Sequence, residues 1–309
     1  MKISTIIFGA GEGARKFLNH QSSEWDIIAV VDNDLSKHGL SFEAFTVSPP
    51  SIIETLDYDQ IIIATQWAKE VQEQLIHLLH VNPDKIKIPP KSMLKKVQKP
   101  FEHDPTRELA RSIIKHLSNS AYQHNIPLLV DFGTLLGLVR DNDVIAWDDD
   151  VDFSIPFLPQ DDTILKWLER TVLAMELPIK LSIHSKLQDA TPFNYSLDFY
   201  DDMKALETFE PFITSISFRH IKDDHSIHLP SGGMWYAPKK HFETYEILKW
   251  KDCAIQVPSS YEAYLTFLYG DWKTPKKNIT MADYAHLGAV DFQELKEQQF
   301  YYQDILKAK

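Results

Sequence analysis

The first hundred residues alternate short apolar runs with one amphipathic stretch at helical spacing. Four apolar, β-branched runs predict strands, at residues 4–8, 27–31, 60–65 and 85–88. The third run is followed by residues 68–79, where apolar side chains recur every three or four positions and predict a helix. Strands that alternate with helices form parallel sheets, so we expect an α/β protein in which residues 1–98 form a Rossmann-like domain. A stretch rich in proline and lysine at residues 89–100 predicts the linker that ends this domain.

A second pattern fills residues 99–309. Asp104 is expected to cap a helix because a proline follows it and apolar residues then recur at helical spacing. The predicted elements are this helix to about Asn125, a short strand at 128–132, a helix at 135–140 and a strand at 145–155. The last 25 residues are expected to form an amphipathic helix that covers the core, with apolar positions at Phe292, Leu295, Phe300 and Ile305.

Composition and charge exclude several classes of protein. The chain has 309 residues with 44% hydrophobic and 12% aromatic content, which excludes a disordered or collagen-like chain. Its 44 acidic and 32 basic residues give a formal charge of −12, which argues against nucleic acid as the main partner. The single cysteine, Cys253, forms no internal disulfide, and no charged-then-apolar leader opens the chain, so we expect a cytoplasmic location. The apolar runs are too short to span a bilayer, so no integral membrane segment is expected, and the oligomeric state stays open.

The most informative polar feature is the acidic run Asp148, Asp149, Asp150 and Asp152. Clustered carboxylates repel one another, so such a run favours a bound cation. In a strand, Asp150 and Asp152 point to the same face, while the apolar residues beside them point into the core. This pair supplies oxygen ligands of the kind that Mg²⁺ or Mn²⁺ prefers. The alternative is a solvated acidic turn before a strand.

Upstream of the acidic run, a predicted strand ends in Asp131-Phe132-Gly133-Thr134 just before a helix. Glycine lets the backbone approach a phosphate closely, and the free N–H groups at a helix start bind anions. A glycine-threonine turn alone is usually only a turn. Followed by two carboxylates on the next strand, it favours phosphoryl transfer, which needs both backbone donors and a metal.

These two segments resemble the signature of a known family. Residues 133–140 (GTLLGLVR) and 145–152 (IAWDDDVD) are similar to the motif of the LicD family, which is related to fukutin-type proteins. A second block, residues 257–265 with Leu268-Tyr269-Gly270-Asp271-Trp272, resembles the C-terminal motif of that family. The resemblance implies an α+β nucleotidyltransferase fold for residues 99–309. It also implies a phosphotransferase that moves a phospho-alcohol, such as phosphocholine, from a CDP-linked donor to a hydroxyl of a cell-surface glycan or lipid-linked saccharide.

Carried over residue by residue, the resemblance assigns roles to five positions. Gly133 and Thr134 would hold the donor phosphates, Asp150 and Asp152 would bind Mg²⁺ or Mn²⁺, and Arg140 would steady the site or a phosphate. The two remaining aspartates of the acidic run lie within the motif without an individual role.

The resemblance also implies a third carboxylate from a later strand. Asp198 is the best candidate because its flanks alternate apolar and polar residues, and Asp201 or Asp202 is the alternative. The third carboxylate would either act as a base on the acceptor hydroxyl or complete the metal shell. Sequence does not separate these two roles.

Basic and imidazole side chains offer weaker candidates. Lys239, next to Lys240, would neutralise a phosphate or belong to a solvated lysine pair. Asp224, His225 and His228 would contact substrate or lie on the surface, and without a cysteine partner they do not indicate structural zinc.

The N-terminal domain carries a nucleotide-type glycine pattern. Gly9, Gly11 and Ala14 form a GxGxxA arrangement after the first strand, and Asp32 ends the second strand. This layout resembles the small Rossmann-like domain that precedes some sugar acetyltransferases and sugar dehydratases. It implies a nucleotide or nucleotide-sugar ligand. The alternative is a scaffold or docking domain that retains the fold without a ligand.

Three other functions remain to be distinguished from a phosphotransferase. The same carboxylates would serve a nucleotidyltransferase that loads a nucleotide onto a phosphorylated small molecule and releases pyrophosphate. A non-catalytic assembly protein that senses a nucleotide-sugar is a second alternative, although a retired site has no reason to keep a repulsive acidic cluster. An NAD-dependent dehydrogenase is the least favoured, because no Tyr-x-x-x-Lys dyad follows the glycine pattern within residues 1–98.

Overall fold

The computed structural model describes residues 2–19, 25–65, 67–89, 91–94, 99–177, 179–186, 192–199, 208–228, 234–276, 287–288 and 300–307. The chain divides into two compact units, one built on Met1–Val97 and the other on Gln98–Thr274. None of the helices in these described ranges is long and apolar enough to cross a membrane.

The first unit is a six-stranded sheet with helices. Its strands are β1 Ile3–Phe8, β2 Trp25–Val31, β3 Ser41–Phe42, β4 Phe45–Ser48, β5 Gln60–Ile63 and β6 Ile86–Lys87. Its helices are α1 Glu12–Asn19, α2 Ala68–His77 and α3 Lys91–Leu94. The sheet order is β3-β4-β2-β1-β5-β6, and every pair is parallel except β3 with β4. This order confirms the Rossmann-like parallel sheet predicted from the apolar runs.

Strand β1 explains why this sheet is buried on both sides. Ile6 and Phe8 pack into one apolar cluster, whereas Ile7 packs into a second cluster, and all three side chains are buried. Successive side chains of a strand point to opposite faces, so a continuous apolar run fills both layers. The glycine turn after β1 therefore lies at the carboxyl edge of a central strand.

The second unit contains the remaining elements. Its strands are β7 Leu129–Val130, β8 Asp150–Ile155, β9 Ile179–Lys186, β10 Pro192–Phe199, β11 Ile213–Phe218, β12 His220–Lys222, β13 His225–His228, β14 Met234–Pro238, β15 Tyr245–Trp250, β16 Cys253–Pro258, β17 Leu287–Gly288 and β18 Phe300–Lys307. Its helices are α4 Asp104–Gln123, α5 Phe132–Arg140, α6 Thr163–Leu173 and α7 Tyr261–Tyr269. The mixture of helices with mainly antiparallel strands agrees with the expected second α/β unit.

The main sheet of this unit has the order β18-β9-β10-β11-β8-β7. Strands β8 and β11 are parallel, and the other neighbours are antiparallel. In β8, Val151 and Phe153 are buried, while Asp150 and Asp152 are partly exposed, which confirms the predicted alternation. Two smaller sheets, β12-β13-β14-β17 and β15-β16, accompany it.

One face of the main sheet is apolar and packs into the core. Its side chains belong to the same apolar cluster as residues of α4 and α6, for example Ile113 and Leu168. The opposite face carries the aspartates of β8 together with serines of β10 and β11. Because the apolar face is buried, the polar face is the side of the sheet on which a substrate could bind.

Two predicted elements differ from the structure. Residues 300–307 form strand β18, paired with β9, rather than the end of an amphipathic helix, and Phe292 and Leu295 lie outside the described residues. The aromatic run at its start has high strand propensity, and pairing with the open edge of β9 satisfies its backbone groups. In addition, His103 occupies the cap position of α4, so Asp104 lies in the first turn instead.

Candidate functional site

Strand β8 is fixed to the turn that precedes α5. The backbone N–H of Asp152 donates to the Thr134 hydroxyl at 2.8 Å, and the Asp152 carbonyl accepts from the Asp131 N–H at 3.1 Å. Both backbone groups of one acidic residue are therefore held by the turn between β7 and α5. The aspartates of β8 cannot shift along the strand without breaking these bonds.

The turn itself is tight. Phe132 has a φ of +45°, in the left-handed region that bulky side chains rarely adopt. A Cβ atom added at Gly133 would lie 2.6 Å from the Oδ2 atom of Asp148. A side chain at this position would push the Asp148 carboxylate aside, because that carboxylate occupies the space of a Cβ atom. Sequence reasoning assigned Gly133 to a phosphate, whereas the structure places a protein carboxylate directly against it.

Gly137, the second glycine of the motif, packs most closely against the backbone. A Cβ atom at Gly137 would lie 2.6 Å from the backbone oxygen of Asp143. A backbone atom cannot swing aside as a carboxylate can, so Gly137 is needed for packing.

Three carboxylates converge next to the turn. One oxygen from each of Asp148, Asp149 and Asp150 lies within 4.8 Å of the others, and all three residues are partly exposed. Within the described ranges, no other set of three acidic, histidine or cysteine side chains comes together in this way. Asp152 lies on the same face of β8 but outside this set. The predicted pair of Asp150 and Asp152 therefore has Asp148 and Asp149 as additional candidate metal ligands.

Behind the carboxylates lies a fully buried charge network that the sequence did not predict. The Asp131 carboxylate accepts from the Ser154 hydroxyl at 2.6 Å, the Tyr264 hydroxyl at 2.6 Å, the Arg219 guanidinium at 2.7 Å and the Phe132 N–H at 2.8 Å. Asp131 is 0% exposed and Arg219 is 1% exposed. The network joins β8, β11 and α7 to the turn before α5.

Charge pairing determines the ionisation of this network. Burial alone would raise the pKa of Asp131, but the Arg219 charge and the hydrogen bonds from Ser154 and Tyr264 hold that pKa below its ordinary value. Burial raises the pKa of Tyr264 well above its ordinary value, so its hydroxyl stays protonated and donates. Asp131 is thus a carboxylate at neutral pH, and its charge is paired within the core.

Aromatic rings enclose the guanidinium of Arg219. Its Cζ atom lies 4.0 Å from the ring centre of Phe242 and 5.3 Å from that of Phe132, whose ring also lies 5.1 Å from His228. Its Nε and Nη1 atoms are buried and have no hydrogen-bond partner among the residues that the structure describes. In the sequence, Arg219 is visible only as a single arginine directly after an apolar strand. That pattern does not identify Asp131, 88 residues away, as its partner.

Two further predicted substrate ligands have protein partners. Arg140 donates twice to the Asp141 carboxylate, at 2.8 and 2.7 Å, and its Cζ atom lies 5.9 Å from the Trp147 ring. Lys239 pairs with Asp224 at 2.9 Å on the sheet formed by β12, β13 and β14. Their roles toward substrate stay predictions.

The two histidines named as candidates lie in different environments. His228 is buried beside Phe132, close to the candidate site, whereas His225 is exposed and packs edge-on against Tyr236. Of the candidate third carboxylates, Asp198 lies on β10, and Asp201 and Asp202 lie outside the described residues.

The glycine turn of the first unit also has a defined geometry. Gly9 has a φ of +112°, and a Cβ atom at Gly13 would lie 3.0 Å from the backbone oxygen of Ala64. A Cβ atom at Gly11 would meet no atom of the described residues within 4 Å. Asp32 is 8% exposed, and its Oδ2 atom accepts from the Ala10 N–H at 2.7 Å and pairs with Lys37 at 2.9 Å. The space beside Gly11 is therefore open, while the acid of the pattern is bound to the turn itself.

Comparison with solved structures gives weak similarities. UDP-D-quinovosamine 4-dehydrogenase from Vibrio fischeri is 25% identical over 29% of this chain and 80% of its own, with a TM-score of 0.25. An oxidoreductase from Thermotoga maritima is 12% identical over 92% of both chains, with a TM-score of 0.27. An amine dehydrogenase from Mycobacterium smegmatis is 12% identical over 94% of this chain and 98% of its own, with a TM-score of 0.25. Similarities at this level support no conclusion about this chain.

Comparison with protein families is more informative. No curated protein matches the chain at a significant level. Residues 1–87 match the family model described as C2185-like, N-terminal. Residues 125–259, which contain the turn, the acidic run and the buried network's Asp131, Ser154 and Arg219, match the model described as LicD/FKTN/FKRP, nucleotidyltransferase domain. Residues 125–259 of the second unit are thus similar to the LicD/FKTN/FKRP nucleotidyltransferase domain, and residues 1–87 are similar to the C2185-like N-terminal domain.

Proposed function

We propose that the second unit is a metal-dependent phosphotransferase that moves a phospho-alcohol from a CDP-linked donor to a hydroxyl of a cell-surface glycan. The observation that carries this proposal is the convergence of the Asp148, Asp149 and Asp150 oxygens beside the Gly133 turn, inside a LicD-type domain. The general class of reaction, a group transfer, agrees with the family model that residues 125–259 match. The donor, the acceptor and the metal are the parts that need testing.

The residues present suit a divalent metal ion. Three carboxylates within 4.8 Å of one another repel strongly unless a cation compensates their charge. Carboxylate oxygens are the ligands that Mg²⁺ and Mn²⁺ prefer, so Asp148, Asp149, Asp150 and the neighbouring Asp152 would hold the ion. When bound, it would neutralise the donor diphosphate and fix its orientation.

The protein itself supplies rigidity at this place. The Thr134 hydroxyl and the Asp131 N–H hold the backbone of Asp152, and the Asp131–Arg219 pair holds the turn from beneath. A fixed backbone keeps the carboxylates of β8 near the site before the donor arrives, and such preorganisation is the main way in which enzymes stabilise phosphoryl transfer.

The proposal is tested by CMP release from CDP-choline, CDP-ethanolamine, CDP-glycerol and CDP-ribitol, with Mg²⁺ or Mn²⁺ present or chelated. We expect metal-dependent release from one donor, and its loss in Asp150→Asn. The matched control is Asp252→Asn, which removes a surface carboxylate that pairs with Lys115. Equal release by Asp150→Asn and the wild type would contradict the proposal. Pyrophosphate release from CTP in the presence of phosphocholine, with formation of CDP-choline and without CMP release from any donor, would instead identify a nucleotidyltransferase.

For the first unit, we propose a nucleotide or nucleotide-sugar ligand at the glycine turn. The supporting observation is the open space beside Gly11, next to a Gly13 that packs tightly against Ala64. In glycine turns of this type, the open position is where the backbone approaches a diphosphate. Titration with UDP and UDP-glucose by calorimetry tests it. We expect binding that Gly11→Ala abolishes without lowering the melting temperature, and no binding to the wild type would contradict the proposal.

A further inference from the structure

Helices α4 and α6 of the second unit flank a groove with a volume of about 430 Å³, which we call the α4–α6 groove. It extends from His116 to His124 along α4 and from Trp167 to Ala174 along α6. Pockets of this size hold small molecules. Both helices pack against the apolar face of the main sheet, so the groove lies on the other side of that sheet from the aspartates of β8.

The lining of the α4–α6 groove differs in charge from the chain as a whole. Nine described residues line it, five from α4 and its C-terminal cap and four from α6 and its cap. None of these nine is acidic, whereas the whole chain has a formal charge of −12. A ligand in this groove therefore meets amide, hydroxyl, imidazole and guanidinium groups but no carboxylate.

The floor of the groove is a closed set of hydrogen bonds. The Trp167 indole N–H donates to the Ser120 hydroxyl at 3.0 Å, and the Thr171 hydroxyl donates to the Trp167 carbonyl at 2.8 Å. The two hydroxyls lie 2.8 Å apart, and since the Thr171 proton goes to the carbonyl, Ser120 is the donor of this pair. Both hydroxyl protons are used, so the donors for a ligand come from the side chains around the floor.

One of these side chains is an arginine without an acidic partner. The other five arginines of the chain each pair with an Asp or Glu side chain: Arg15, Arg107, Arg111, Arg140 and Arg219. Within the described part of the chain, Arg170 pairs with no carboxylate, and its Nε atom donates to the Lys166 carbonyl at 3.1 Å. Its two Nη groups form the planar fork that binds phosphate oxygens in pairs.

Two further side chains have a donor to spare. The Asn119 Oδ1 atom accepts from the Cys253 thiol at 3.1 Å, which fixes the amide so that its Nδ2 group is left to donate. His124 donates from Nδ1 to the Ser120 carbonyl at 2.8 Å, and its Nε2 atom becomes a second donor when the ring is protonated. The groove thus combines a surplus of donors with positive charge.

Part of this positive charge also complements the helix ends. Carbonyls at the C-terminal ends of helices carry partial negative charge, which favours nearby cations. Arg170 and His124 each meet it through a single nitrogen that bonds a carbonyl of its own helix. The Nη groups of Arg170 and the Asn119 amide are not used in this way, so the helix ends do not account for them.

From these contacts we propose that the α4–α6 groove binds a small phosphate ester, such as a sugar phosphate. Phosphate oxygens accept hydrogen bonds and carry negative charge, so they match a site that has donors, a cation and no carboxylate. The groove is larger than a phosphate group, and the Gln123 amide in its lining suits the hydroxyls of an attached sugar. This inference goes beyond the proposed transfer reaction and does not depend on it.

The test is isothermal calorimetry of the full chain with glucose 6-phosphate, inorganic phosphate and glucose. EDTA is present throughout, so that no divalent metal on the acidic run binds the probes. We expect glucose 6-phosphate to bind more tightly than inorganic phosphate, and glucose not to bind. Arg170→Gln should weaken the binding of glucose 6-phosphate about 10-fold or more, because it removes charged hydrogen bonds.

A second variant and a matched control complete the experiment. Asn119→Asp is nearly isosteric and replaces a donor with a carboxylate, so it should weaken binding about 10-fold or more as well. Lys166→Gln removes the same charge from α6 as Arg170→Gln does, but Lys166 pairs with Asp162 and is not in the groove lining, so affinity should be unchanged. All three substituted residues are exposed, and we expect unchanged melting temperatures.

Each contrary result has its own meaning. No binding of glucose 6-phosphate by the wild type, or equal binding by the wild type, Arg170→Gln and Asn119→Asp, would overturn the inference. Equal weakening by Lys166→Gln would show general attraction of anions to α6. Equal affinity for glucose or for inorganic phosphate would overturn the assignment to a phosphate ester. A failure of CMP release would leave this inference intact, because the groove and the acidic run share no residue.

Discussion

The chain uses a glycine turn between a strand and a helix twice, with opposite results. In the first unit, a Cβ atom at Gly11 would meet no atom within 4 Å in the part of the chain that the structure describes, so the space beside the turn is open there. In the second unit, the space beside Gly133 is filled by the Asp148 carboxylate, 2.6 Å from the position of an added Cβ atom. The same sequence signal thus leaves room for a ligand in one unit and for a protein carboxylate in the other.

The acid next to each turn differs in a related way. Asp32 binds the Ala10 N–H and pairs with Lys37, whose side chain is 37% exposed. Asp131 binds the Phe132 N–H and pairs with Arg219, which is completely enclosed. A buried pair is costly to break, whereas a partly exposed pair contributes little. We infer that the second turn is built for rigidity and the first for access.

The largest expected effect comes from breaking the buried pair. Arg219→Met leaves the Asp131 carboxylate in the core without its cation, so we expect a loss of about 3 to 5 kcal/mol in the free energy of unfolding. Urea denaturation measures it. Lys115→Met, which breaks the exposed pair with Asp252, is the control and should cost less than about 1 kcal/mol. Equal losses in the two variants would contradict a special role for the network.

This stabilisation should depend on pH in a defined direction. The folded pKa of Asp131 is lowered, so its contribution is fully present above the ordinary value of about 3.9 and is lost as the pH falls through the lower folded value. We expect the stability difference between the wild type and Asp131→Asn to be constant from pH 7 to 5 and to shrink below about pH 4. Urea midpoints at several pH values check this. A difference that grows on acidification would show that the sign is wrong.

Alanine at Gly133 tests the filled turn. The added Cβ atom would displace the flexible Asp148 carboxylate, so we expect Mn²⁺ affinity to fall about 10-fold or more with little change in stability. Gly137→Ala, in the same helix, would instead press on the backbone oxygen of Asp143 and should destabilise the unit. Mn²⁺ titration together with thermal melting separates the two effects. Unchanged Mn²⁺ affinity in Gly133→Ala would contradict the assigned role of Asp148.

The smallest effect is expected at the open turn. Lys37→Met removes the partner of Asp32 but leaves its hydrogen bond from Ala10, so the free energy of unfolding should fall by less than about 1 kcal/mol. Urea denaturation of this variant and of Arg219→Met under the same conditions measures both losses in the free energy of unfolding. A loss as large as that of Arg219→Met would show that the first turn is built for rigidity too.

Local patterns in the sequence were sufficient to predict much of the fold. The alternation in β8 correctly placed Val151 and Phe153 in the core, with Asp150 and Asp152 on the other face. The apolar runs of the first unit correctly gave its parallel strands. The prediction of a helix was wrong for residues 300–307, because pairing with β9 outweighs their amphipathic pattern.

The parts that could not be predicted depend on contacts between distant residues. Asp131 and Arg219 are separated by 88 positions, and no periodicity links a buried cation to its partner. The location of Asp148 against Gly133 likewise depends on how the loop before β8 folds back onto α5. The distance of Asp198 from Asp150 follows from the insertion of β11 between their strands, which only the strand order reveals.

Calorimetric titration of Mn²⁺ decides whether the aspartates beside the Gly133 turn form a divalent metal site. The wild type, Asp150→Asn and the surface control Asp252→Asn would be titrated under the same conditions. We expect saturable binding by the wild type and the control, and binding at least about 10-fold weaker in Asp150→Asn. Equal binding by all three proteins, or no binding by the wild type, would contradict a metal site at this turn.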